Sequence, residues 1–405
     1  MKINKINKNS GLKNPLFLFI MFMYYLNNNK IVGGALLGDP QNRKDLYMKF
    51  LHMADMHFDA PFTTLANKKD LGELRRLEQR DAFKKVIDYI LENKIEYLFI
   101  AGDLYEHEYI RKSTVEFINK QFERILETKV FIVPGNHDPY LKNSIYKDFE
   151  FASNVYVFKE NYEKYEDEQI IVYGVGFTEF YMNENPLECT FIEESSKFKI
   201  LLAHLDINGV KDKNGFSYNP ITLGKLKELN FDYMALGHIH NTNFKEDEKI
   251  CYSGSTISLG FDELGEHGVI VGNLEKGKLK TDFIKIDNRI FTEYELNVEN
   301  FTSNEEIIEQ INEKKFEESE LIKIILVGNR NFEIDINIVE KLITNNNVIK
   351  VKDFTKMNID LEKLSKENTL KGIFVNEVLE KFKSGEIESE EKLNSILQIG
   401  LEAME

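Results

Sequence analysis

Cysteine is nearly missing from this chain: Cys189 and Cys251 are the only two in 405 residues. Two isolated thiols supply neither a disulfide framework nor the paired spacing of a structural zinc site, which suits a reducing cytosol. Proline is scarce as well, at seven residues, and no Pro/Gly-rich linker or repeat period divides the sequence. Long hydrophobic runs are also lacking. The stretch 16–26, preceded by Lys2, Lys5, Lys8 and Lys13, has the outline of a signal peptide. It is too short to cross a bilayer as a helix, and no small-x-small cleavage site follows it. Met48 stands where a first strand begins, so residues 1–47 are read as an over-extended start. A membrane-anchoring or exported segment is the alternative; the expectation is a cytoplasmic protein with no membrane association. Positive charge is the last shortage. With 52 Lys and Arg against 68 Asp and Glu, the formal net charge is -16, which repels a polyanion at long range. Lys68, Lys69, Arg75, Arg76, Arg80, Lys84 and Lys85, with Lys211 and Lys213 further on, are the local basic patches left for such a partner.

What the chain does have is seven metal-binding side chains in one order: Asp55, His57, Asp103, Asn136, His204, His238 and His240. Each group follows a short apolar run rich in β-branched and aromatic residues, at 50–53, 97–101, 130–133, 200–203 and 233–236. The candidate ligands therefore sit just past strand ends, the edge where an open α/β sheet binds its ligands. Glycines 102, 135 and 237 allow close backbone approach there. Two divalent ions roughly 3.5–4 Å apart need a bridging carboxylate to temper their repulsion while they activate one shared water, and Asp103 is the candidate bridge. Two Asp, one Asn and four His leave such a site net positive for a phosphate anion. The mixed nitrogen and oxygen donors suit manganese, iron or zinc above magnesium or calcium. On an extended strand end Asp55 and His57 share one face and one metal. His238 and His240 repeat that spacing, or diverge in a turn to reach one metal each, which is preferred because two sites must be filled. His137, beside Asn136, is the candidate general acid, with Asp138 to orient it.

The segments Asp-x-His, Gly-Asp, Gly-Asn-His-Asp and Gly-His-x-His in this order resemble the calcineurin-like metallophosphoesterases. Within them, 52–62, 100–105 and 231–240 are similar to the SbcD-type DNA repair exonucleases, closest to the YhaO-like bacterial branch. Tyr252-Ser253-Gly254-Ser255, then Gly260-Phe261-Asp262-Glu263 and Gly265-Glu266-His267-Gly268, resemble the Gly-Ser and Phe-Asp-Glu signature of those nucleases. The resemblance covers residues 48–287 and implies a four-layer αββα sandwich. It also implies Asp55, His57, Asp103 and His240 on one metal, and Asp103, Asn136, His204 and His238 on the other. The implied activity is manganese-dependent hydrolysis of DNA phosphodiesters, by a homodimer working with an SbcC-like ATPase. Two departures stand out: Leu205 and Asp206 follow His204 where relatives often place glycine, and His267 occupies an expected lysine position. Candidate substrate contacts are His52, Ser255 and Asp262, although His52 reads equally as a packed strand histidine. His107, in a polar run, reads as a solvated loop residue. The runner-up activity is hydrolysis of a small-molecule or nucleotide phosphodiester on the same two ions.

The 42% hydrophobic content is enough for two cores. The expected organisation is a metallophosphoesterase domain at 48–288, a smaller α/β capping domain at 289–360 and a helical tail at 361–405. Strands are expected at 292–298, 322–327 and 348–351, and helices at 303–314 and 336–344, with Ser303 and Glu306 forming a capping box. The tail reads as two amphipathic helices that pack back on the chain or dock on a partner ATPase. Val115, Ile118, Phe122 and Ile125 form a stripe suited to dimerisation or to sheet packing.

Overall fold

Strict side-chain alternation builds two cores back to back. In β1 (Tyr47–Met53), Met48 and Phe50 enter one core while Leu51 and Met53 enter another. The same split recurs in β2 (Tyr97–Ala101), where Tyr97 and Phe99 oppose Leu98 and Ile100, and in β3 (Lys129–Val133), where Phe131 opposes Val130 and Ile132. This computed structural model describes residues 47–62, 65, 69–211, 213–275, 277–358 and 361–404. The apolar run 16–26, the lysines before it and Lys68 lie outside the described residues.

With β4 (Val155–Val157), β1 to β3 make a parallel array. The antiparallel β10 (Gly268–Glu275) and β11 (Lys278–Lys285) extend it to six strands in the order β11-β10-β1-β2-β3-β4. A second sheet, in chain order, contains β5 (Glu163–Glu166), β6 (Ile170–Val175), β7 (Phe198–His204), β8 (Tyr233–Gly237) and β9 (Ile250–Tyr252). Between the sheets Phe50, Phe99 and Phe131 meet Val172, Ile200, Leu202 and Tyr233. All of these are at most 1% exposed, and each large side chain contributes about 2–3 kcal/mol of transfer free energy.

Helices cover the outer faces. Phe83, Val86, Ile87 and Ile90 of the helix Lys69–Asn93 recur at three- and four-residue spacing and pack on the six-stranded sheet. Ile118 and Phe122 of the helix Lys112–Phe122, with Ile125, join the same core. Of the two readings of that stripe, dimerisation or sheet packing, the second accounts for it: Val115, Ile118, Phe122 and Ile125 are each 2% exposed or less. Across the molecule, Leu201, Met234 and Leu236 pack with Leu226 of the short helix Leu223–Glu228. Helix, sheet, sheet and helix therefore stack in four layers.

Further along the chain, β12 (Ile290–Asn297), β13 (Glu320–Val327) and β15 (Val348–Asp353) form a parallel sheet, with the crossover helices Asn304–Glu313 and Ile336–Leu342 sharing its core. A small ribbon pairs β14 (Asn329–Arg330) with β16 (Lys356–Met357). Ser303 accepts from the Glu306 amide as the helix cap, but the Glu306 carboxylate takes the Thr302 amide, one residue earlier than a capping box requires. The sheet is anchored to the sandwich by Phe291, set edge-on to Phe261 at 4.9 Å, and by Lys323 over the Phe261 ring. In the tail, the helices Leu370–Lys383 and Glu390–Glu402 bury Val375, Val378, Leu393, Leu397 and Leu401 against one another.

The basic patch near the first helix needs correction. Arg75 is fully buried, clamped by Asp287 at 2.9 and 3.0 Å and by Glu78 and the Ser258 carbonyl. Arg80 reaches Thr114 and Lys85 reaches Asn288. Arg75 therefore tethers the helix to the sandwich and leaves the patch, while Lys84 and Lys85 stay exposed to solvent.

Candidate metal centre

The strand ends of both sheets converge on one crevice, and the chain turns sharply to fill it. Asp55, His57, Asp103 and His238 all have positive φ, at 49°, 47°, 50° and 102°. Non-glycine residues adopt that region at a cost and mainly where surroundings enforce it. Here the enforcement is visible. Asp55, His57 and Phe58 donate their amides to the carbonyls of Gly102, Asp103 and Leu104, zipping the loop after β1 to the loop after β2. Gln79, buried on the first helix, holds the Met56 and His57 carbonyls at 2.6 and 2.9 Å. The expectation that Asp55 and His57 lie on an extended strand end is therefore corrected: both are left-handed, and the loop rather than the pleat brings them together.

Two glycines make room for the site. A Cβ on Gly135 would collide with the Asp103 carboxylate, and one on Gly102, at φ +87°, would collide with the His204 ring.

One half of the centre gathers Asp55, His57, Asp103 and His240, which can each offer a donor atom within 4.8 Å of the others. His57 donates from Nδ1 to Glu106 at 2.8 Å, and His240 from Nδ1 to Glu263 at 2.6 Å. With those protons engaged, the two Nε2 lone pairs face each other at 3.1 Å. The other half gathers Asn136, His204 and His238. His204 gives its Nδ1 proton to the Ala101 carbonyl at 2.8 Å, which turns its Nε2 toward Asn136 Oδ1 at 3.0 Å and Asp103 Oδ2 at 3.3 Å. His238 Nδ1 lies 3.2 Å from the same Asn136 oxygen. His238 and His240 thus diverge, one to each half. Asp103 stands between them, its Oδ2 also 3.7 Å from His57 Nε2 while Oδ1 accepts the His137 amide.

Such a concentration of lone pairs is repulsive unless a proton or a cation sits among them, and carboxylates or carbonyls behind the imidazoles are the usual outer shell of metal ligands. The titration behaviour reflects the same crowding. Burial raises the Asp55 carboxyl above its ordinary value. For Asp103 burial is outweighed by His204, His137 and His57, which hold it well below that range. Burial lowers His204 and His240, but Asp103 for the first and Glu263 for the second carry each up to about 9. Burial, reinforced by the neighbouring His204 and only partly offset by Asp103, lowers His238 to about 3. The donor set fits a pair of divalent cations.

His137 sits at the rim, its side chain 45% exposed, with Nδ1 on Glu106 at 3.0 Å. Burial lowers it, yet Glu106 and Asp103 raise it to about 9. Asp138 does not orient this ring. Its oxygens accept the amides of Asp103, Leu104 and Gly135 and the Tyr146 hydroxyl, so it shapes the two loops, and burial lifts it to about 6. Glu106, the residue before His107 in the polar run, is the one that holds His137.

The candidate substrate contacts are also revised. His52 is wholly buried between the sheets, bonded to the Tyr233 hydroxyl and the Leu236 carbonyl, and cannot meet a substrate. Ser255 is buried behind the centre, donating to Glu263 at 2.8 Å. Asp262 is exposed and borders a neighbouring depression beside Phe261, while its neighbour Glu263 reaches His240. His267, buried, bonds to Ser255 and to the Glu263 carbonyl, so it braces the 252–268 segment.

Residues 48–242 match the family model of calcineurin-like phosphoesterases. The chain is 26% identical over 247 residues to the uncharacterized metallophosphoesterase YhaO of Bacillus subtilis (strain 168), a match that covers 58% of this chain and 60% of that protein. Among solved structures, TT1561 of Thermus thermophilus matches 58% of this chain and 98% of its own, at 16% identity and a TM-score of 0.32. No helix among the described residues is long and apolar enough to cross a membrane. The donors that converge on the crevice all lie within the segment 48–242, which is similar to the calcineurin-like phosphoesterases.

Proposed function

We propose that this chain is a manganese-dependent phosphodiesterase that acts on DNA, as SbcD-type repair exonucleases do. The observation that carries the DNA reading is the placement of the 252–268 segment, whose pattern resembles those nucleases. It is wired into the centre, Ser255 to Glu263 and Glu263 to His240. In this reading Asp55, His57, Asp103 and His240 hold one cation, and Asp103, Asn136, His204 and His238 the other. Bound cations supply Lewis-acid polarisation of the phosphoryl group and lower the pKa of water. His137, raised by Glu106 and placed at the rim, gives its proton to the departing oxygen. The net charge of -16 and the internal role of Arg75 favour weak, salt-sensitive DNA binding by the chain alone. A second copy and an SbcC-like ATPase are the partners we propose to supply the rest.

The test is release of nucleotides from linear duplex DNA by the full chain with manganese, beside an aryl phosphodiester. Asp103→Ala is expected to lose metal and cleavage together. His137→Ser should keep both metals and slow turnover by roughly 10²–10⁴-fold. Aryl ester turnover without DNA cleavage would instead assign a small-molecule or nucleotide phosphodiesterase, and native-rate cleavage by His137→Ser would remove the acid role.

A further inference from the structure

Next to the metal donors lies a cavity of about 320 Å3 that the chemistry above does not use. Asn136 and His137 belong to its lining, so it opens directly on the centre. Phe180, Tyr181 and Tyr218 give it aromatic walls, and Glu106, His107 and Glu108 complete it. Phe180 and Tyr181 are 40% and 42% exposed, an unusual solvent cost for two adjacent aromatic rings.

These rings are held in place. Tyr181 lies flat on Phe216, with centroids 3.9 Å apart and planes 11° from parallel. Tyr218 stacks on His238 at 5.1 Å and 30°. The two loops that carry them are joined backbone to backbone, Met182 donating to Ser217 and Asn219 donating to Met182. Asn219 in turn donates its side-chain amide to the His204 carbonyl at 3.2 Å, which fixes the aromatic loop to a candidate ligand. His107 stands edge-on to Phe180 at 6.0 Å, and its Nδ1 is buried without a hydrogen-bond partner among the described residues.

Resting on the phosphodiesterase reading, we propose that this cavity is a nucleobase subsite: it takes the unpaired base of the nucleotide whose phosphate reaches the metal centre. The charge pattern selects that occupant. A second phosphate would meet the carboxylates of Glu106 and Glu108, whereas a neutral base meets aromatic faces on which any base stacks. Those carboxylates also match the amino and imino donors on a base edge. A paired base cannot enter, so the substrate is a nucleotide, a single strand or a frayed duplex end.

Calorimetric binding of 2′-deoxyadenosine 5′-monophosphate and of 2-deoxyribose 5-phosphate to the manganese-loaded full chain tests the subsite without turnover. The base-bearing ligand is expected to bind about tenfold more tightly. In the Phe180→Ala, Tyr181→Ala double variant the ratio of the two affinities should fall to about one, while Tyr181→Phe preserves it. Circular dichroism checks that each variant is folded, and both positions are open enough for alanine. Equal affinities in the native protein, a ratio that survives the double variant, or no binding of the nucleotide at saturating manganese would each overturn the subsite. Failure of the DNA reading looks different: an intact ratio with no DNA cleavage keeps the subsite and moves the substrate to a nucleotide diester.

Discussion

Glu106 receives protons from two imidazoles at once, His57 on one oxygen and His137 on the other. Burial raises its carboxyl, but those two histidines outweigh burial and hold it at about 2, so it stays ionised. Removing it leaves the Nδ1 of both rings without an acceptor and frees His137 to turn. Glu106→Ala should therefore cost roughly 10–100-fold in kcat or metal affinity, the usual penalty for losing an outer-shell partner, and Glu106→Gln should recover part of it. Steady-state kinetics with a manganese titration would show this; unchanged kcat and metal affinity would reduce Glu106 to a surface residue. The donors that converge on the crevice were legible in the sequence because each lies in a short motif after an apolar run. Glu106 was not. Its local context, Glu106-His107-Glu108, is that of a solvated turn, and only the return of Asn136-His137 beside it gives it partners.

Along β1 the sequence shows parity without direction. Met48, Phe50 and His52 alternate with Leu51 and Met53, so His52 had to share a face with Phe50. Whether that face met solvent, helices or a second sheet depended on strands more than a hundred residues away. It meets the second sheet, and burial depresses His52 from 6.5 to about 3 despite the Leu236 carbonyl. The folded state thus keeps it neutral. Below pH 6.5 the unfolded chain gains a proton that the fold refuses, so this contribution is intact above that pH and drains away as pH falls toward about 3. Between pH 7.5 and pH 5 it should cost about 2 kcal/mol. Urea unfolding at the two pH values checks it: His52→Gln should lose stability by that much less than the native protein over the interval. Equal losses would show that His52 is protonated in the fold.

Considered whole, the molecule gives up stability at its centre. Two buried carboxylates, several lone pairs facing each other and four left-handed non-glycine residues share one crevice. Cations that bind only the folded state offset this by mass action, about 4 kcal/mol when free metal is a thousandfold above its Kd. Chelation should then lower the thermal midpoint by about 10 °C, with Asp103→Ala starting low and barely responding. Differential scanning calorimetry with and without chelator measures it, and an unchanged midpoint would mean that the centre is stable empty.

By itself the sequence determined the strands, their alternation and the order of donors past their ends, since these follow from local pattern and covalent neighbourhood. The tertiary structure alone decided what surrounds the donors. It gave geometry to the divergence of His238 and His240 that the sequence already favoured, and it alone set Glu263 behind His240, turned Arg75 inward and brought Phe180, Tyr181 and Tyr218 together beside His137. Each of these depends on loops from separate strands closing on one point, and no spacing along the chain encodes the angle at which two distant loops meet.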